Sequence, residues 1–161
     1  MIKNKVGYEL IEYIPCEEND ISEYQNITGA GVILKIDDKY LIGFNNWRKQ
    51  WELPAGRIEE GETPKEAAIR ELYEETHQMI DDAKFEGLFK KKRPNGEIVY
   101  MAIFSCEKNS LIPFEKRNDD EFDEIKLWDL NENIGYMDEI DLNIITTIKH
   151  KKIKQKIHDK K

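Results

Sequence analysis

The sequence predicts an α/β (α+β) domain in which helices pack on a mixed β-sheet. Three observations lead there. Short runs rich in β-branched and aromatic residues recur along the chain and alternate with turn signals. One segment with a strong helix-start signal sits mid-chain between such runs. A second helical pattern closes the chain. With 161 residues, the chain is expected to form one domain, 1–161, able to bury a proper core.

The elements follow in order. "GYELIEYI" (Gly7 to Ile14) reads as a strand within an N-terminal extension, residues 1–25. "GAGVILKI" and "KYLIGF" flank Asp37-Asp38, which predicts a hairpin. "WELPAG" is a short apolar segment stopped by Pro54 and Gly56. Thr63 then starts a helix: it suits the N-cap, Pro64 suits the first helical position, and Glu66 completes a capping box. "KFEGLFKKKR" and "EIVYMAIFSC" flank "PNG", a second hairpin, with Pro94 as a turn residue. "EIKLWDL" is another strand. From Asp138 onward, Ile140, Leu142, Ile144, Ile145 and Ile148 predict an amphipathic helix.

Hydrophobic residues make up 39% of the chain and charged residues 36%, a polar composition that still supports folding. The N-terminus lacks the apolar run of a signal peptide, and no stretch reaches transmembrane length. Cys16 and Cys106 show no metal-type spacing and are expected to be reduced thiols in a cytoplasmic protein. A net charge of −8 argues against a general nucleic-acid surface. The balance is uneven, because Lys149 to Lys161 holds seven lysines and one aspartate. This basic end, 149–161, is expected to be a solvated helix end, with a nucleic-acid contact as the sharper alternative.

The mid-chain helix crowds its carboxylates. At about 100° per residue, Glu71, Glu74 and Glu75 share one face. Ala67 falls among them, where a small side chain would leave room for a ligand, while Ala68, Ile69, Leu72 and Tyr73 are expected to enter the core. Arg70 borders the acidic face one turn before Glu74 and can brace a carboxylate. Carboxylates so placed repel one another, and a hard divalent cation removes that repulsion. The entering loop, with Gly56 and Gly61, can bring backbone close to a metal–phosphate group.

These residues carry a family resemblance. Gly56, Glu62, Arg70, Glu71, Leu72, Glu74 and Glu75 stand at the spacing of the Nudix hydrolase signature, and "WELPAG" resembles the usual approach to it. The resemblance implies a Nudix-type α/β/α sandwich and hydrolysis of a nucleoside diphosphate linked to another group, with Mg²⁺ or Mn²⁺ as cofactor. It implies metal ligation by Glu71, Glu74, Glu75 and the Gly56 carbonyl. Catalysis would involve Glu71, the first choice for general base, with Glu74 and with Arg70 orienting the carboxylates. Glu62 would brace the loop, and a further acid would come from a later loop, with Glu121 and Glu124 as candidates. The leading substrate is a (deoxy)nucleoside triphosphate, as in the MutT-like branch. The alternatives are an ADP-ribose or nucleotide-sugar pyrophosphatase, an RNA 5′-pyrophosphohydrolase, or a catalytically silent nucleotide-binding module. The expected partner is thus a small nucleotide, with RNA 5′ ends as the one nucleic-acid exception and no membrane. Trp47, Trp51, Phe44 and Asp141 are candidates for substrate binding.

Two positions depart from the signature. His77 stands where a glycine is expected, and Gln78 replaces an aliphatic residue. A glycine there would be a left-handed helix cap, so His77 is read as a substituted C-cap, with Met79 or Ile80 supplying the apolar contact. On that reading His77→Gly would be neutral or stabilising.

Overall fold

A computed structural model describes residues 2–160. In chain order the elements are β1 (Ile2–Lys3), β2 (Glu9–Ile14), a 3₁₀ turn (Glu18–Glu23), β3 (Ile27–Ile36), β4 (Lys39–Asn45), β5 (Gln50–Glu52) and β6 (Ala55–Arg57). There follow α1 (Pro64–Thr76), β7 (Lys84–Lys92), β8 (Ile98–Glu107), β9 (Phe122–Trp128) and α2 (Glu139–Asp159). The sheet runs β1-β2-β7-β8-β3-β4-β5, with β6 also on β3 and β9 also on β4. It is mixed, because β3 and β8 pair in parallel while their other neighbours are antiparallel.

Side-chain alternation along the central strands builds two apolar layers. Ala30, Val32, Leu34 and Ile36 of β3 point to one face, where Ala67, Ala68 and Leu72 of α1 cover them. Ile33 points to the other face, with Ile42, Phe89 and Ile103, under Ile140, Ile144, Ile145 and Ile148 of α2. The result is an α/β/α sandwich. Asp37 and Asp38 both adopt positive φ (48° and 63°), the backbone a two-residue hairpin between twisted strands requires. β3 also divides its free edge. Its first half pairs with β6 (Ala30 opposite Gly56) and its last residues pair with β4. That division brings the loop entering α1 onto the sheet.

Two expectations are revised, and the smallest elements are additions. The 3₁₀ turn and the short β1 and β6 carry too little periodicity to be read from sequence. Helix α1 is rotated from the predicted orientation: Tyr73 is 42% exposed, whereas Ala67 and Glu75 are buried. Ala67 therefore belongs to the core and leaves no space for a ligand. At the other end, Lys151 and Lys152 are not idle. Glu86 on β7 is only 1% exposed, and a buried carboxylate needs partners. Lys151 Nζ reaches it at 3.1 Å and Lys152 Nζ at 2.9 Å, while Ser105 Oγ donates a further hydrogen bond. From Ile153 onward the helix is exposed, as expected of its end. Among the described residues, no helix is long and apolar enough to cross a membrane.

Candidate active site

Helix α1 starts as its sequence dictates. Thr63 Oγ1 accepts from Glu66 N–H at 3.1 Å and Glu66 Oε1 accepts from Thr63 N–H at 2.9 Å. This fixes the angle at which the chain enters the helix. Arg70 then ties the entry loop to the helix face. Its Nε and Nη2 hold Glu62 at 2.6 and 2.9 Å, and Nη2 also donates to the Arg57 carbonyl. Its Nη1 reaches Glu71 at 2.9 Å and Glu74 at 3.1 Å. The guanidinium is thus a hub between loop and carboxylates.

Glu62 also accepts from Glu59 N–H at 2.9 Å. The Arg70 hydrogen bonds, then this backbone donor, hold its carboxyl down at about 2. Because the folded pKa lies below the unfolded one, the stability this pair contributes is present above about pH 4.5 and is lost as pH falls towards about 2. Glu62→Gln is therefore expected to lower the melting temperature at pH 7 and to flatten its decline between those two pH values. An unchanged acid limb in melts from pH 7 to pH 2 would exclude Glu62 as the brace.

The remaining carboxylates sit in a tighter place. The Glu71 carboxyl lies directly over Gly56 Cα, in the space a side chain there would take. Burial pushes Glu71 upward, and the Arg70 contact only partly offsets it. Glu75 is 5% exposed and accepts from Ala55 N–H at 2.8 Å. Burial pushes it well above the usual carboxylate range, and the neighbouring Glu121 pushes further. Glu74 alone projects into solvent.

Of the two loop-acid candidates, Glu121 is the one brought to Glu75. Asn45 Nδ2 holds it at 3.1 Å and Arg48 Nη1 at 3.3 Å. The same two donors hold Glu52, at 3.2 and 3.1 Å. Glu124 instead is exposed on β9, opposite Phe44 and away from this cluster. Asn45, Arg48 and Glu52 were not singled out from the sequence. Their one signal is the run "NNWRKQWE", which sets polar residues beside two strands without a turn glycine.

On its other side Gly56 borders a cleft of about 390 Å³. Arg48, Arg57, Lys91 and Arg93 bring four cations to its walls, with Tyr8 and Tyr100 among the lining residues. Asp141 lines it too, and its Oδ2 accepts from Leu53 N–H at 3.0 Å. Enclosure pushes Asp141 up and Lys91 down. Trp47, Trp51 and Phe44 do not line the cleft. Trp47 is 73% exposed on the turn after β4, and Trp51 is core, donating to the Ile134 carbonyl and packing edge-on against Phe44.

Among the described residues, no three carboxylate, imidazole or thiol side chains converge closely enough to hold a metal ion as they stand. The donor chemistry still suits a hard divalent cation. Glu71, Glu75 and Glu121 are crowded oxygen donors with more negative charge than Arg48 and Arg70 neutralise, and a cation would relieve it.

Known proteins resemble this chain in sequence and in fold. A curated RNA pyrophosphohydrolase of Brucella anthropi is 38% identical over 74 residues, 46% of this chain and 41% of that one. A MutT-like protein of Streptomyces ambofaciens is 32% identical over 82 residues, 51% of either chain. The chain thus spans about half or less of the curated relatives it matches. A crystal structure of the Bacillus subtilis pyrophosphohydrolase BsRppH superposes with a TM-score of 0.70 over 96% of both chains at 20% identity, which bears on the fold alone. The NUDIX domain profile matches residues 27–148, a span that takes in β3 through the first half of α2, and the chain belongs to the NUDIX domain family.

Proposed function

We propose that this chain is a metal-dependent pyrophosphohydrolase acting on nucleoside 5′-triphosphates. The observation that carries the reading is the cleft beside Gly56. Arg48, Arg57, Lys91 and Arg93 line it together with Glu52, Asp138 and Asp141, and its Gly56 edge adjoins the acidic helix face, so basic groups for phosphate oxygens and carboxylates for a cation lie side by side. Arg48, Arg57, Lys91 and Arg93 would hold the phosphate oxygens, and the half-exposed rings of Tyr8 and Tyr100 offer apolar faces to a base. Glu71, Glu74, Glu75, Glu121 and the Gly56 carbonyl would hold Mg²⁺ or Mn²⁺. Such an ion neutralises phosphate oxygens and makes water more acidic. Glu71 would take the proton of the attacking water as its oxygen bonds to phosphorus and the anhydride P–O bond breaks. Arg70 keeps Glu71 aimed at the Gly56 edge. Asp141, on the cleft wall, would face the nucleoside.

A second reading is an RNA 5′-triphosphate, favoured because several curated relatives are named RNA pyrophosphohydrolases. Incubation with a panel of nucleoside triphosphates, ADP-ribose and 5′-triphosphorylated RNA in Mg²⁺, with products identified, tests both. Pyrophosphate plus a nucleoside monophosphate is the expected outcome, abolished by excess EDTA. AMP plus ribose phosphate from ADP-ribose alone would replace the triphosphate reading. Full turnover in EDTA would remove the metal.

A further inference from the structure

The two residues that depart from the family signature, His77 and Gln78, meet the same loop. Residues 108–121 connect β8 to β9 with no helix or strand of their own. A connection that long is uncommon unless it is anchored for a purpose. Gln78 is fully buried and anchors it through a two-way backbone bridge. Its Nε2 donates to the Ile112 carbonyl at 2.7 Å, and its Oε1 accepts from Ile112 N–H at 2.8 Å. An aliphatic side chain at this position could make neither bond.

His77 holds the far end. Its backbone is the left-handed C-cap (φ 63°, ψ 16°), as the sequence implies. Its ring does more than fill space. It stacks on Phe114 with centroids 4.7 Å apart, and its Nε2 lies 3.2 Å from Asp120 Oδ2. The two atoms are close but not aligned as a hydrogen bond. Asp120 also closes the Arg117–Asp120 turn by accepting from Arg117 N–H at 2.7 Å. The next residue is Glu121, held by Asn45 and Arg48 and close enough to Glu75 to push that carboxyl up. A glycine in place of His77 would reach neither Phe114 nor Asp120.

We propose that His77 and Gln78 are positioning residues that pin the 108–121 loop so that Glu121 is presented to Glu75. This rests on the metal-site reading above. Two carboxylates do not approach each other without an external constraint; Asn45 and Arg48 hold the Glu121 carboxylate itself, and the cap residues of the helix that carries Glu75 hold the loop backbone that delivers it. The helix thereby sets both the ligands on its own face and the acid that comes from elsewhere in the chain.

The test uses His77→Asn, which keeps a side chain tolerant of the left-handed cap while removing the ring, and Gln78→Leu, which restores an aliphatic residue. Glu121→Gln and the double variants with each complete a cycle. Mn²⁺ affinity by electron paramagnetic resonance, hydrogen exchange of residues 108–121 and steady-state kinetics are measured together. His77→Asn and Gln78→Leu are each expected to speed exchange in the loop and to weaken Mn²⁺ binding and kcat by about ten- to a hundred-fold. In the Glu121→Gln background they should add little, because the group they position is already gone. Effects that add fully to that of Glu121→Gln would overturn the proposal, as would Mn²⁺ affinity unchanged by both variants. Should Gln78→Leu not fold, His77→Asn decides alone. If Glu121→Gln itself leaves Mn²⁺ binding intact, the role of Glu121 fails and the positioning role with it. If Glu121→Gln is damaging and the cap variants are not, only the positioning role fails.

Discussion

Glu75→Gln is expected to lower kcat by about two to three orders of magnitude while leaving the protein at least as heat-stable as the parent. The two halves of this result have one cause. Glu75 is buried against Glu121, so its charge is costly to the fold without a cation. An amide keeps an oxygen for the Ala55 N–H and removes that charge. Glu75→Ala differs, because it leaves the Ala55 N–H without its acceptor, at a cost of about 1–3 kcal/mol. Glu74→Gln should also lower kcat severely, with no change in melting temperature, since Glu74 is exposed and a neutral change on a solvated helix face is tolerated. Kinetics in Mg²⁺ and thermal melts of the three variants separate these effects. A Glu75→Gln enzyme within about threefold of the parent kcat would show that Glu75 is not a ligand.

Gly56→Ala is expected to cost about a hundred-fold in kcat/KM, although it adds a single methyl group. The three atoms nearest to the added Cβ all belong to the Glu71 carboxyl, and they are too close for Glu71 to stay where it is. Glu71 would have to leave its place over the β6 edge and its bond to Arg70. The fold itself should change little, because the atoms displaced are the free end of a flexible side chain. Gly61→Ala is the control. Gly61 has φ +86° with open space around it, so alanine there strains the backbone without touching a carboxylate. It should lower the melting temperature and leave kcat/KM unchanged. Full activity in Gly56→Ala would show that the position of Glu71 over Gly56 does not matter to the reaction.

Local features were legible in the sequence for local reasons. The Thr63–Glu66 capping box, the Asp37-Asp38 turn and the left-handed cap at His77 depend on residues a few positions apart, and each appears where its residue types require it. The strands were likewise legible as short runs rich in β-branched and aromatic residues bounded by turn signals, whereas the parallel β3–β8 pairing that makes the sheet mixed is a long-range contact. The rotation of α1 was not legible. Helical spacing groups Glu71, Glu74 and Glu75 on one face, but which edge of that face meets the sheet depends on β6, and three strand residues carry no periodic signal.

The loop acid shows the same division. Glu121 and Glu124 are equivalent in sequence, both acidic and both just ahead of "IKLWDL". The β4–β9 pairing separates them, by placing Glu124 opposite Phe44 on an exposed edge while Glu121 meets Asn45, Arg48 and Glu75. The sequence reads His77 as a substituted C-cap, on which ground His77→Gly is neutral or stabilising. The cap is there, but the ring packs on Phe114 and contacts Asp120, so that substitution now exchanges relief of a strained φ for loss of those contacts. The sequence by itself determined the helix caps, the turns, the main strands and the spacing of the carboxylates, because these are set by neighbours within a few residues along the chain. Only the tertiary structure decided which carboxylate is buried, which loop acid joins it and what the His77 ring touches, because long-range strand pairing brings those partners together.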